Sequence, residues 1–146
     1  MNFVNIATAA TCVSVRNGEI VVKCKSSRDA KDCAEILNDI LNNGKSVVSI
    51  DYMDFMNESG KAKYELYLVK DVQVDECSIY IKEIELKSRG KYIICIKGNI
   101  SIGDSADVLK RIAKESEDKE QTILFGLIYS EIYQENVFDM YVLKEK

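Results

Sequence analysis

Apolar positions along this chain switch between a period of two and a period of 3.6, the spacings of half-buried strands and amphipathic helices. The first run opens with a predicted hairpin, Cys12–Arg16 and Glu19–Lys25, turned at Asn17-Gly18. Asn and Gly both tolerate positive φ, so this pair between apolar runs is a strong hairpin signal. A helix follows, capped near Ser26 or Ser27. Ala30, Cys33, Ala34, Leu37, Ile40 and Leu41 fall on one buried stripe, while Arg28, Lys31, Asp32, Glu35 and Asp39 face water. Asn42-Asn43-Gly44 stops it, glycine being able to take the left-handed cap conformation. Strands Ser46–Phe55 and Lys61–Lys70 come next, joined by a turn at Asn57-Glu58-Ser59-Gly60.

After a short connector, Asp71–Glu76, the order repeats. Cys77–Lys87 and Lys91–Gly98 form a second predicted hairpin around Ser88-Arg89-Gly90. A helix starts near Asp104, whose carboxylate can accept hydrogen bonds from the free amides of a first turn, and its stripe is Ala106, Leu109, Ile112 and Ala113. Strands Gln121–Ile132 and Val137–Leu143 end the chain. The likeness extends to the letters. Tyr64-Glu65-Leu66-Tyr67-Leu68-Val69-Lys70-Asp71 recurs, class by class, as Phe138-Asp139-Met140-Tyr141-Val142-Leu143-Lys144-Glu145. Arg16-Asn17-Gly18 before Glu19-Ile20-Val21-Val22-Lys23 parallels Arg89-Gly90 before Lys91-Tyr92-Ile93-Ile94-Cys95. Internal similarity of this kind is settled before any fold is assigned. The expectation is an α+β fold in one domain, residues 1–146: a tandem pseudo-twofold repeat of a ββαββ unit, about 10–71 and 77–145. Its antiparallel sheet carries both helices on one face, with a ligand cleft at the seam.

Strand alternation assigns faces. Val48, Ile50 and Tyr52, and in the sister strand Phe125, Leu127 and Tyr129, are expected to face the helices; Val47, Ser49, Asp51, Met53 and Phe55, with Leu124, Gly126, Ile128 and Ser130, are left for the opposite side. Glu65, Tyr67 and Val69 share a face, as do Asp139, Tyr141 and Leu143, which puts a carboxylate and a tyrosine from each unit near the seam. The expected cleft is therefore lined by Asp51, Met53, Glu65, Tyr67, Asp139 and Tyr141, with Tyr92 on or behind its wall. Aromatic walls with few acids suit a flat, apolar, cationic ligand, and a methionine thioether repacks around different shapes.

Composition narrows the chemistry. An apolar fraction of 47% and a charged fraction of 30% over 146 residues are those of a folded globular chain with a real core. No apolar run reaches the ~18 residues of a bilayer span, and Met1–Ala10 lacks a basic segment ahead of its apolar residues, so neither membrane span nor signal peptide is expected. Five scattered cysteines without C-x-x-C spacing read as small core hydrophobes in a reducing, cytoplasmic setting. The absence of histidine removes Ser-His-Asp and Cys-His machinery and His-ligated zinc. No metal and no cofactor is expected. A net charge of −4 without a basic run argues against direct nucleic-acid contact, and acids on both helices argue against a DNA-encircling clamp.

The stretch Gly90-Lys91-Tyr92-Ile93-Ile94-Cys95-Ile96-Lys97-Gly98, with Asp139-Met140 in the closing strand, resembles the second half of the gyrase-inhibitor-like, or AraC-type effector-binding, domain family, which also supplies the multidrug-sensing portion of MerR-type regulators. The resemblance covers residues 88–145, and residues 10–71 through the internal repeat. It implies a pocket between the two halves for bulky, often cationic, amphiphilic compounds. The family's frequent pocket glutamate aligns with Gly126, so Asp51 is the candidate replacement acid. The expected function is a small-molecule-binding module acting as a sensor, sequestering protein or transcription effector, with a protein partner or a DNA-binding domain in trans. A protein–protein inhibitor comes second. A hydrolase using Asp51 or Glu131 as general base and a tyrosine as proton donor comes third; the chain is expected not to be an enzyme.

Overall fold

Side chains along a strand point alternately to opposite faces, so a strand that buries every residue needs cover on both sides. Two strands here meet that condition: Tyr92–Ile96 within Gly90–Gly98, and Phe138–Leu143 within Val137–Glu145. A computed structural model describes residues 3–8, 11–15, 19–42, 46–56, 62–76, 90–115 and 121–146. Its elements are β1 (Phe3–Thr8), β2 (Thr11–Val15), β3 (Glu19–Lys23), α1 (Ser27–Asn42), β4 (Ser46–Val48), β5 (Ala62–Gln73), β6 (Gly90–Gly98), α2 (Ile102–Glu115), β7 (Gln121–Tyr129) and β8 (Val137–Glu145). Short 3-10 turns cover Tyr52–Phe55 and Val74–Glu76.

The strands form one mixed sheet in the order β1-β2-β3-β5-β8-β6-β7-β4. β3 pairs with β5, and β6 with β7, in parallel; the remaining pairings are antiparallel. The expected α+β class holds, but the arrangement inside it differs. The two helices lie on opposite faces. α1 packs with Ile20, Val22, Tyr64, Leu66, Ile93, Cys95, Tyr141 and Leu143, whereas Val108 of α2 packs with Tyr92, Ile94, Ile96, Met140 and Val142. Alternation along β6 separates these sets: Ile93 and Cys95 go to one helix, Tyr92, Ile94 and Ile96 to the other.

α1 touches β1, β2 and β7. In a flat sheet β1 and β7, six spacings apart in the strand order, would be ~29 Å distant, far more than the ~11 Å width of a helix. The sheet therefore curls around α1. This explains why α1 buries Ile36 as well as the expected stripe of Ala30, Cys33, Ala34, Leu37 and Ile40. Ser26 caps the helix, its Oγ accepting from Asp29 N at 3.1 Å. At α2 the cap is Ser101, whose Oγ accepts from Asp104 N at 3.0 Å, so Asp104 sits inside the first turn and is not the cap. The fully buried positions are Ser105 and Val108, with Leu109 of the expected stripe packed beside them and Ser105 Oγ donating to Ile102 O at 2.7 Å. The side chains of Ile112 and Ala113 lie outside the described residues.

The predicted strand Ser46–Phe55 is only three residues long as β4, because Asp51 and Asp54 cap a 3-10 turn. Asp51 Oδ1 accepts from Met53 N at 3.5 Å and Asp54 Oδ2 from Asp51 N at 3.1 Å. Phe55 anchors that turn in the core, edge-on to Tyr64 with ring centroids 6.0 Å apart, while Tyr64 OH donates to Phe55 O. β2 and β3 pair as the first expected hairpin, with Val15 opposite Glu19. β1 extends it by a strand that the sequence pattern did not reveal. Asn17-Gly18, Asn57–Gly60 and the strand expected at Cys77–Lys87 lie outside the described residues.

Two glycines set a graded test of this packing. A Cβ at Gly98 would sit on the Val137 carbonyl oxygen and 2.5 Å from Phe138 Cα, both backbone atoms of the neighbouring strand. A Cβ at Gly126 would meet only the flexible ends of Ile40 and Ile50, at 3.1 and 3.2 Å. Gly98→Ala is expected to cost about 3 kcal/mol or more and Gly126→Ala about 1 kcal/mol, read from urea unfolding midpoints; the reverse order would contradict the β6–β8 register.

Candidate functional site

The centre of the sheet contains one break in register. Val69 pairs with Met140 and Val72 with Phe138, so two residues of β5, Lys70 and Asp71, stand against one residue of β8, Asp139. A bulge of this kind leaves one residue's ladder hydrogen bond unmade and re-aims the strand. Here Asp71 takes φ 54°, and its freed N–H donates to Asp139 Oδ1 at 2.9 Å. The second Asp139 oxygen, Oδ2, accepts from Tyr133 OH at 2.7 Å. Asp139 is 8% exposed, so a carboxylate taken almost wholly out of water has both oxygens satisfied.

These bonds frame an open cleft of about 610 Å³ lined by Asp71, Gln73, Lys97, Ser130, Ile132, Tyr133, Gln134 and Val137. It lies where β5, β6 and β7, all running the same way, reach their carboxyl ends. The loop 130–136 that forms one wall is tied down along its length. Ser130 N donates to Gly98 O at 2.9 Å, Asn99 Nδ2 to Tyr133 O at 3.1 Å and Asn136 N to Asn99 O at 2.8 Å. Val74 N donates in turn to Asn136 O at 3.1 Å, and Asn136, like Asp71, has positive φ, at 64°. Both are residue types that tolerate this region.

The surroundings are acidic. Burial first, then the hydrogen bond to Asp139 and the charges of Asp139, Asp71 and Asp32, push the Tyr133 hydroxyl well above the usual phenol range. Burial, with Asp139 and Asp32 nearby, does the same to Tyr141. Asp32 of α1 is engaged by Lys70 of β5, whose ammonium is held above its usual range chiefly by that bond.

The residues expected to converge do not share one cleft. Partners in an antiparallel ladder share a face; Tyr67 stands opposite Val142 and Tyr141 opposite Leu68, so the two tyrosines point to opposite sides of the sheet. Tyr67 is half-buried on the α2 side and its OH donates to Glu65 Oε1 at 3.4 Å; Glu65 also pairs with Lys146. Tyr141 is 4% exposed within the α1-side core, and Tyr92 is 1% exposed in the α2-side core. Gly126 lies beneath Ile40 and Ile50, where a glutamate would meet core. Asp51 is the exposed cap described above, and Met53 is exposed beside it. Glu131 is exposed in the cleft loop. Of the expected set, Asp139 alone joins the cleft network. Asp71, Lys97 and Tyr133 were missed: Asp71 read as connector, Lys97 as an ordinary strand residue, and Tyr133 fell between the predicted strands Gln121–Ile132 and Val137–Leu143. Among the described residues no group of three or more metal-ligating side chains occurs, and no helix is long and apolar enough to cross a membrane.

No family model matches the chain, and no curated protein matches it in sequence.

Two measurements test the network. Asp139→Ala leaves two donors without their acceptor and is expected to cost about 1–3 kcal/mol for each that stays dry. In a double-mutant cycle with Tyr133→Phe, a coupling of about 1 kcal/mol is expected, and strict additivity would show the bond to be energetically idle. The second is alkaline titration. The Tyr64, Tyr133 and Tyr141 hydroxyls are raised, and burial pushes the Cys95 thiol up to about 12. The folded chain then keeps protons that the unfolded chain loses near pH ~8.5 for cysteine and ~10 for tyrosine. Unfolding free energy should therefore be steady to about pH 8 and fall as pH rises further. A stability that rises through that window would contradict the burial of these groups.

Proposed function

We propose that this chain is a small-molecule-binding module, a sensor, sequestering protein or transcription effector, whose ligand occupies the cleft at the carboxyl ends of β5, β6 and β7. The observation that carries the reading is the cleft itself, a space of about 610 Å³ with preorganised polar walls. That volume falls within the ~300–1,000 Å³ of small-molecule pockets. Open sheets tend to bind ligands outside the carboxyl ends of parallel strands. Backbone held at positive φ beside a cleft, at Asp71 and Asn136, is the kind of local cost that recurs at ligand sites. The resemblance of Gly90–Gly98 to effector-binding domains favours the same class of function, although the cleft proposed here is formed by other residues than those the resemblance indicated. Tyr133 offers an aromatic edge, Ile132 and Val137 an apolar surface, and Ser130, Gln73 and Gln134 polar groups for orientation.

A thermal-shift panel of aromatic and aliphatic cations, anions, zwitterions and neutral amphiphiles tests this directly. A binder at a hundredfold excess over its Kd stabilises the fold by ~2.7 kcal/mol, readily seen as a raised melting point. At least one compound should raise it, Tyr133→Ala should remove the shift, and Tyr67→Ala should leave it unchanged. Silence across the panel, or a shift indifferent to Tyr133→Ala, would overturn the proposal.

A further inference from the structure

The charges around the cleft divide into those already used and those still free. Asp139 accepts from Asp71 N and Tyr133 OH with both oxygens. Asp32 is taken by Lys70. What remains on the cleft lining is one carboxylate, Asp71, and one ammonium, Lys97. Among the described residues neither forms an ion pair, with the other or with any third group. Lys97 stands directly opposite Asp139 in the β6–β8 ladder and is partly buried, yet the two form no ion pair: the Asp139 oxygens are turned to Asp71 N and Tyr133 OH. An ammonium partly withdrawn from water and without a direct ion-pair partner can take an anionic group from a ligand.

Three ligand classes can be compared on this lining. A phosphate-rich anion would meet a single lysine and be repelled by Asp71, Asp139 and Asp32. A simple cation would be drawn by Asp71 but would leave Lys97 facing a like charge. A dipolar ligand satisfies both, and charge complementarity at two fixed points rejects molecules lacking either end. The apolar surface of Ile132, Tyr133 and Val137 then suits an apolar side chain between or beside the two charges.

Resting on the reading of this cleft as a ligand site, we infer that it selects small zwitterions carrying an ammonium, a carboxylate and an apolar group, of the kind presented by apolar amino acids and short peptides. Asp71 holds the ammonium and Lys97 the carboxylate. Asp139 is a positioning residue: it fixes the Asp71 backbone and the Tyr133 ring and does not touch the ligand.

The test uses the full chain and calorimetric titration with L-leucine, L-phenylalanine and leucyl-leucine. Each is compared with its N-acetyl form, which lacks the cation, and its C-terminal amide, which lacks the anion. At least one zwitterion should bind, with both capped forms weaker by about tenfold or more, the scale of a lost charge-assisted hydrogen bond. Lys97→Met keeps the stem and should remove the preference for zwitterion over amide. Asp71→Asn tolerates the same backbone conformation and should remove the preference over the N-acetyl form. Binding of the amide equal to that of the zwitterion, or a preference unchanged in Lys97→Met, overturns the inference while leaving the ligand site in place. Binding in the wider panel by non-zwitterions alone does the same. Silence of the entire panel overturns the site itself.

Discussion

Everything in this fold follows from the need to cover the central strands on both faces. β6 and β8 carry unbroken runs of buried residues, and a pleated strand cannot bury such a run against a single layer. α1 therefore occupies one face and α2 the other, and the parallel pairing of β6 with β7 places a helical crossover between them. The same requirement accounts for the curl of the sheet. One helix cannot cover so many strands in a plane, and bending the outer strands toward α1 is how that face becomes dry.

Among the described residues of this covered sheet, one buried side chain carries a charge. Asp139 sits in a strand otherwise buried and apolar from Phe138 to Leu143, opposite the two-residue bulge in β5. The bulge creates an unpaired N–H and the carboxylate satisfies it; the other oxygen reaches Tyr133 and holds the loop. Each feature supports the other: the bulge supplies a donor to the buried acid, and the acid accepts the N–H that the bulge takes out of the ladder. Their pairing makes a polar rim at the carboxyl end of the sheet, and Asp71 and Lys97 line the cleft there without forming an ion pair among the described residues.

How much of this was legible depends on the range of each cause. α1 and its Ser26 cap follow from neighbours three and four residues apart, and the β2–β3 hairpin from a turn pair and its flanks; both were readable. The strand expected through Phe55 failed for a local reason that was also readable, since Asp51-Tyr52-Met53-Asp54 is a capping-box spacing that competes with extended structure. Ser101 and Asp104 carried the same signal at α2. The two faces of β7 were separated correctly by alternation, but which faces carry helices is decided by tertiary packing. The cleft was illegible for the same reason: Asp71, Lys97 and Tyr133 come from three segments that meet around Asp139 through the β5 bulge, the β6–β8 ladder and a side-chain hydrogen bond.

The sequence repeat shows how pattern and architecture part company. The two matching octapeptides, residues 64–71 and 138–145, lie side by side as β5 and β8, which looks at first like the seam of a duplicated fold. A true twofold axis through an antiparallel pair keeps equivalent residues on one face. Yet Tyr67 stands opposite Val142 and Leu68 opposite Tyr141, so each residue's sequence counterpart lies on the other side of the sheet. No such twofold relates them. β3 and β5 are neighbours and parallel, whereas their counterparts by sequence, β6 and β8, are neighbours and antiparallel. What the octapeptides share is a place at the middle of the sheet, where apolar or aromatic residues fill five of the eight positions in each. The surroundings of their acids differ. The acid of the first, Glu65, lies where water and Lys146 reach it, while the acid of the second, Asp139, lies opposite the bulge, where a buried carboxylate has donors waiting.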